Sequence, residues 1–173
     1  MTDQISYRGP DGDGFWTNKE SGIALGHRRL AIIDLSEAGR QPMISPSGRY
    51  VMSYNGEIYN YQDIKAPLLD KGYTFKGHSD TEILLSAFEE YGVTETLKKL
   101  CGMFAIILWD RKEKQVTLIR DPLGKKPIYF GWAGHDLVVS SELKAFHAHP
   151  DFTPQINPDA QACLLYTSDA ADD

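Results

Sequence analysis

The chain has 173 residues, a formal net charge of −6 and 42% hydrophobic residues, the make-up of one ordinary globular domain long enough to bury a core. It has no basic block, which argues against nucleic acid as the main partner, and no stretch nears the ~20 consecutive apolar residues of a membrane span. The polar start Met1-Thr-Asp-Gln-Ile lacks a signal-peptide pattern, and Cys101 and Cys163 are too few for a disulfide framework, so a cytoplasmic protein is expected.

In chain order, "RGPDGDGFW" opens with a polar turn over "GPDGDG". It is not a calcium loop, because after Asp11 and Asp13 the positions that need Gly and Glu hold Trp16 and Gly22. Ile23 to Ile33 reads as a strand or strand pair broken at Arg28-Arg29. The turn-rich "SEAGRQPMISPSG" then leads to a second strand from Arg49 to Tyr54. That strand halts on Asn55-Gly56-Glu57, and two readings stand. Asn-Gly can be a hairpin tip, since Gly adopts positive φ freely and Asn tolerates it. Alternatively the strand turns towards a helix with Asn60 as its N-cap, gathering backbone N–H groups and a carboxamide where an oxyanion could develop.

Ser79-x-x-Glu82 is a capping box before a helix from Glu82 to Tyr91, with apolar Ile83, Leu84, Ala87 and Phe88. A short helix from Glu95 to Leu100 follows. "MFAIILWD", "QVTLIRD", "KPIYFGW" and "HDLVVSS" read as strands, and "SELKAFHAH" as a short helix. The almost wholly apolar run Met103 to Trp109 suits a sheet covered on both faces. Cys101 is expected to be a buried structural thiol, and His147 and His149 to be surface residues. Strands, then a helix pair, then more strands predict an α+β layered fold rather than alternating βαβ units. The terminal "CLLYTSDAADD" resembles a translated transposon-type sequencing adapter. Residues 163–173 are therefore expected to be a non-native tail after a linker over 153–162.

Together "RGPDGDGFW", "GHRRLAIIDLSEAGRQPM", "YNGEIYNY", "GHSDTE", "GMFAIILWD", "RDPLGKKPIYF" and "SSELKA" stand in an order that resembles class II glutamine amidotransferases. They are similar above all to the glutaminase domain of glutamine-hydrolysing asparagine synthetases. The resemblance covers Met1 to Phe152. It implies a sandwich of antiparallel sheets flanked by helices, of the N-terminal-nucleophile hydrolase type, here incomplete at its N-terminus.

The chemistry implied by the resemblance is one these residue types can perform. Glutamine is a zwitterion, so its site needs a cation for the carboxylate and an anion for the ammonium; the family positions match Arg29 and Asp80. An Arg fork suits a carboxylate in a way that Lys does not. Without the resemblance, Arg28 and Arg29 would read as solvated strand charges and Asp80 as part of a helix cap. The resemblance further implies an oxyanion hole from the Asn55 carboxamide and the Gly56 N–H. Glu57 would lie beside the substrate, Arg8 would help to position it, and Leu30, Ala31, Ile32 and Ile33 would line its site. No metal ligand is expected.

The family's nucleophile is an N-terminal cysteine whose own α-amine serves as base, and no residue here matches it. Met1 is read as an internal methionine just before "RGPD", and the chain as written is expected not to hydrolyse glutamine. The resemblance also implies an ATP-dependent half, with a Ser-Gly-Gly phosphate motif that is absent here. That half would use ATP, Mg²⁺ and aspartate, in an enzyme that can be a homodimer. A related amidotransferase with another acceptor, and a non-catalytic glutamine-binding module, are the alternatives.

Overall fold

The computed structural model describes residues 1–30 and 39–169. At its centre is a four-stranded antiparallel sheet in the order β3-β4-β5-β6, formed by β3 (Met43–Ile44), β4 (Tyr50–Ile58), β5 (Gly102–Asp110) and β6 (Gln115–Arg120). Helices α1 (Tyr61–Asp70), α2 (Asp80–Tyr91) and α3 (Val93–Leu97) form the next layer. On the sheet's other face lies the hairpin of β1 (Gly12–Asn18) and β2 (Ile23–Arg29). A second hairpin, β7 (Tyr129–Ala133) with β8 (Asp136–Ser140), packs on the 3₁₀ helix Leu143–Ala148 through Ala133, Val138 and Phe146. A 3₁₀ helix, Thr2–Arg8, precedes β1, and α4 (Pro158–Asp169) ends the described chain. The architecture is α+β with antiparallel sheets and flanking helices, as expected. No helix among the described residues is long and apolar enough to cross a membrane.

Strand alternation divides the core in two. Met52, Tyr54 and Ile58 of β4, with Ile106 and Leu108 of β5, face the helices and meet Leu68, Ile83, Leu84 and Phe88. The opposite faces supply Val51 and Trp109, which pack on Leu25 of β2. A central strand covered on both faces must be apolar on both, and this accounts for the unbroken run Met103 to Trp109.

The structure corrects several expectations. Asn55-Gly56-Glu57 is neither a hairpin tip nor a strand end: β4 runs through it, pairing Asn55 with Ala105, Gly56 with Phe104 and Glu57 with Met103. The chain turns only at Tyr59 and Asn60. Asn60 holds the N-cap position of α1, yet its side chain reaches elsewhere. It donates to the Lys99 carbonyl at 2.9 Å and accepts from the Cys101 N–H at 2.8 Å, fastening the strand–helix corner to the start of β5. "GPDGDG" is only partly a turn, because Gly12, Asp13 and Gly14 already belong to β1. Helix α2 starts at Asp80, with Ser79 capping it by accepting from the Thr81 N–H at 3.1 Å. Glu82 reaches past the cap to the N–H groups of Lys76 and Gly77. Cys101 is exposed, not a buried thiol. The expected strand's last residues, Ala31, Ile32 and Ile33, lie outside the described residues.

Candidate active site

A cleft of about 960 Å³ opens between the central sheet and the two hairpins. Arg8, Arg29, Leu30, Asn55, Gly56, Glu57 and Asp80, expected together from the sequence, all line it. Leu30 is exposed at its rim, and Ala31, Ile32 and Ile33 are again outside the described residues.

The edge of β4 shapes its floor. Phe104, opposite Gly56, turns both backbone groups away from β4: its N–H donates to the Asp121 carboxylate at 3.2 Å, and its carbonyl accepts from the Asp121 N–H at 2.8 Å. In an antiparallel ladder, Gly56 must then point its N–H and carbonyl outward from the free edge. The neighbouring outward N–H groups are both taken. That of Tyr54 donates to Gln41 Oε1 at 2.6 Å, and that of Ile58 to Asp80 Oδ2 at 2.9 Å. Between them, the Gly56 N–H has no acceptor among the described residues and faces the cleft. Only glycine fits there: a Cβ on Gly56 would lie 2.2 Å from the Met103 carbonyl oxygen and 2.7 Å from Phe104 Cα.

The carboxylate of Asp80 is buried, 5% exposed, in the first turn of α2. Besides the Ile58 N–H, its Oδ2 accepts from the Tyr54 hydroxyl at 2.7 Å; among the described residues its Oδ1 has only the Thr81 hydroxyl, at 3.5 Å. Burial, reinforced by the Asp80 charge, raises the Tyr54 pKa well above its ordinary value, so the phenol remains a donor. The start of a helix also favours an anion.

Across the cleft, Leu25, His27 and Arg29 lie on one face of β2 by strand alternation, above Val51, Ser53 and Asn55 of β4. His27 Nδ1 is 3.4 Å from the Ser53 hydroxyl. Burial, and then the Arg29 charge, lower the His27 pKa to about 4. Arg28 points to the opposite face, pairing with Asp3 and donating to the Thr2 carbonyl at 3.4 Å. Arg8 donates to Glu142 Oε1 at 3.1 Å and to the Ser141 carbonyl at 3.3 Å, while Tyr7 also hydrogen-bonds Glu142. This ties "RGPD" to "SSELKA". Neither cysteine lines the cleft, and no cluster of three or more His, Cys, Asp or Glu among the described residues could hold a metal.

The chain matches the family of glutamine amidotransferase domains over residues 1–173. It belongs to that family. This amidotransferase domain is 40% identical over 157 residues to the glutamine-hydrolysing asparagine synthetase 2 of Bacillus subtilis (strain 168), covering 91% of the chain and 20% of the relative. It is 40% identical over 146 residues to the amidase chry2 of Gibberella zeae, covering 84% and 22%. The chain thus spans about a fifth of the length of these curated relatives. Among solved structures, the glutamine phosphoribosylpyrophosphate amidotransferase of B. subtilis, complexed with ADP and GMP, superposes with a TM-score of 0.72 at 23% identity. That superposition covers 84% of this chain and 39% of the other. The likeness establishes a shared fold.

Among the residues of the amidotransferase cleft not picked out from the sequence are Gln41, Tyr54 and His27; Glu142, which holds Arg8 from outside the lining, was not picked out either. Alternation along β4 and β2 carried a usable signal for two of them. It places Tyr54 with Ile58 and His27 with Arg29 once the strand is known to continue through Gly56. Gln41 occupies β4's edge from a loop, which no periodicity reveals. The backbone there packs so closely on the first hairpin that a Cβ on Gly14 would lie 1.9 Å from the Gln41 carbonyl oxygen.

Proposed function

We propose that this chain is the glutamine-binding, ammonia-releasing part of a glutamine-hydrolysing asparagine synthetase. The observation that carries the reading is the outward N–H of Gly56, without an acceptor among the described residues and set between the Asp80 carboxylate and the Gln41 side chain, with Arg29 across the cleft. Glutamine's carboxylate binds Arg29 and its ammonium binds Asp80. The side-chain carbonyl then points at the Gly56 N–H and the Asn55 carboxamide. Both donors strengthen as attack by a thiol turns that carbonyl into an oxyanion, so they favour the transition state over the bound substrate. Collapse of the adduct expels ammonia and leaves a thioester for water to cleave. The resemblance to class II glutamine amidotransferases assigns that thiol to an N-terminal cysteine; Cys101 and Cys163 do not line the cleft.

Ammonia then amidates aspartate with ATP and Mg²⁺ in the acceptor half of the enzyme. A cytoplasmic location and a homodimer complete the reading. A second reading is amidation of another acceptor, since a relative of equal identity does not bear the name of an asparagine synthetase. The test uses the full-length gene product with glutamine, aspartate and ATP. Asparagine formation supports the first reading. Glutamine hydrolysis without asparagine formation supports the second, and no ammonia release contradicts both.

A further inference from the structure

We infer that Tyr54 is a positioning residue for amino-acid recognition, acting through Asp80. The inference rests on the reading of Asp80 as the ammonium site and adds how that carboxylate is aimed. A carboxylate held by neither oxygen rotates freely about its last bond and presents no fixed acceptor. Asp80 is held by one: Oδ2 takes the Tyr54 hydroxyl at 2.7 Å and the Ile58 N–H at 2.9 Å, two donors from the same strand. Those two contacts fix the carboxylate plane. Oδ1, which among the described residues has only the Thr81 hydroxyl at 3.5 Å, is left for a cation in the cleft that Asp80 lines.

Tyr54 is itself fixed at three points. Its N–H donates to Gln41 Oε1 at 2.6 Å. Its ring packs beneath Gly56, close enough that a Cβ there would lie 2.9 Å from Tyr54 Cε2. Its phenol ends on Asp80. The residue therefore spans the distance between the outward N–H of Gly56 and the carboxylate, and sets one relative to the other. Loss of the hydroxyl removes a charge-assisted donor from Oδ2 while leaving the ring, and with it the packing under Gly56, in place.

The test is calorimetric titration of the chain and its Tyr54→Phe variant with two ligands. One is L-glutamine. The other is 4-carbamoylbutanoate, which keeps the carboxylate and the amide but lacks the ammonium. The variant should bind glutamine about tenfold more weakly, near the lower end of the usual consequence of losing one hydrogen bond to a charged group, and bind 4-carbamoylbutanoate unchanged. Equal weakening of both ligands, no weakening of either, or failure of the variant to fold would each overturn the inference, since the hydroxyl would then serve packing or nothing. Asp80→Asn separates the two layers of the argument. If it leaves the preference for glutamine over 4-carbamoylbutanoate intact, the reading of Asp80 falls. If it abolishes that preference while Tyr54→Phe keeps it, only the role of Tyr54 falls.

Discussion

Gly56 stands opposite Phe104 in the β4–β5 ladder, with so little room that a side chain on Gly56 would drive into the neighbouring Met103 carbonyl, 2.2 Å from its Cβ. The glycine is needed for close approach of two central strands and not for a turn. Gly56→Ala should therefore destabilise the fold by about 1–3 kcal/mol through overpacking, as well as disturb the outward N–H. Thermal or urea unfolding of the two proteins checks this. An alanine variant as stable as the original would contradict the tight register.

Asn55 belongs to the other face of the strand. Its side chain hydrogen-bonds none of the described residues and lines the cleft, which leaves its amide available to a developing oxyanion. In the full-length gene product, Asn55→Ala should lower kcat for glutamine by about 10²–10³-fold, the usual cost of one oxyanion donor, with a smaller change in KM. Steady-state kinetics distinguish this from ground-state binding, in which KM would carry the effect.

His27 gives the fold an acid sensitivity. Its pKa in the folded chain is about 4, against an ordinary value of 6.5, so the unfolded chain takes up a proton there first as pH falls. Stability from this group is complete above pH 6.5 and declines from there towards pH 4. The expected loss reaches about 2 kcal/mol at pH 5. His27→Gln should flatten the dependence of unfolding free energy on pH between 7 and 5. Identical pH profiles for both proteins would show that His27 is not buried neutral.

Much of this site was legible in the sequence, and the reasons differ by residue. Arg29, Asp80, Asn55 and Gly56 were found because a motif order fixes their places, whatever the local structure. The structure of "YNGEIYN" was misread because Asn-Gly is ordinarily turn chemistry. Here a tertiary demand, close packing against β5, overrides that preference. Asn60 illustrates the same competition, since its position is that of a cap but its hydrogen bonds go to Lys99 and Cys101. Glu142 was invisible because its partners Tyr7 and Arg8 lie at the opposite end of the chain, where no local pattern connects them.

The central claim is that the cleft binds glutamine as a zwitterion, with its carboxylate on Arg29 and its ammonium on Asp80. The most direct measurement is calorimetric titration of the chain with L-glutamine, alongside Arg29→Ala and Asp80→Asn. Saturable binding at one site is predicted, with preference for L-glutamine over L-glutamate and D-glutamine. Each substitution should cost about 2–5 kcal/mol, because it leaves a substrate charge without its partner. Absence of saturable binding, or binding that survives both substitutions unchanged, would contradict the account.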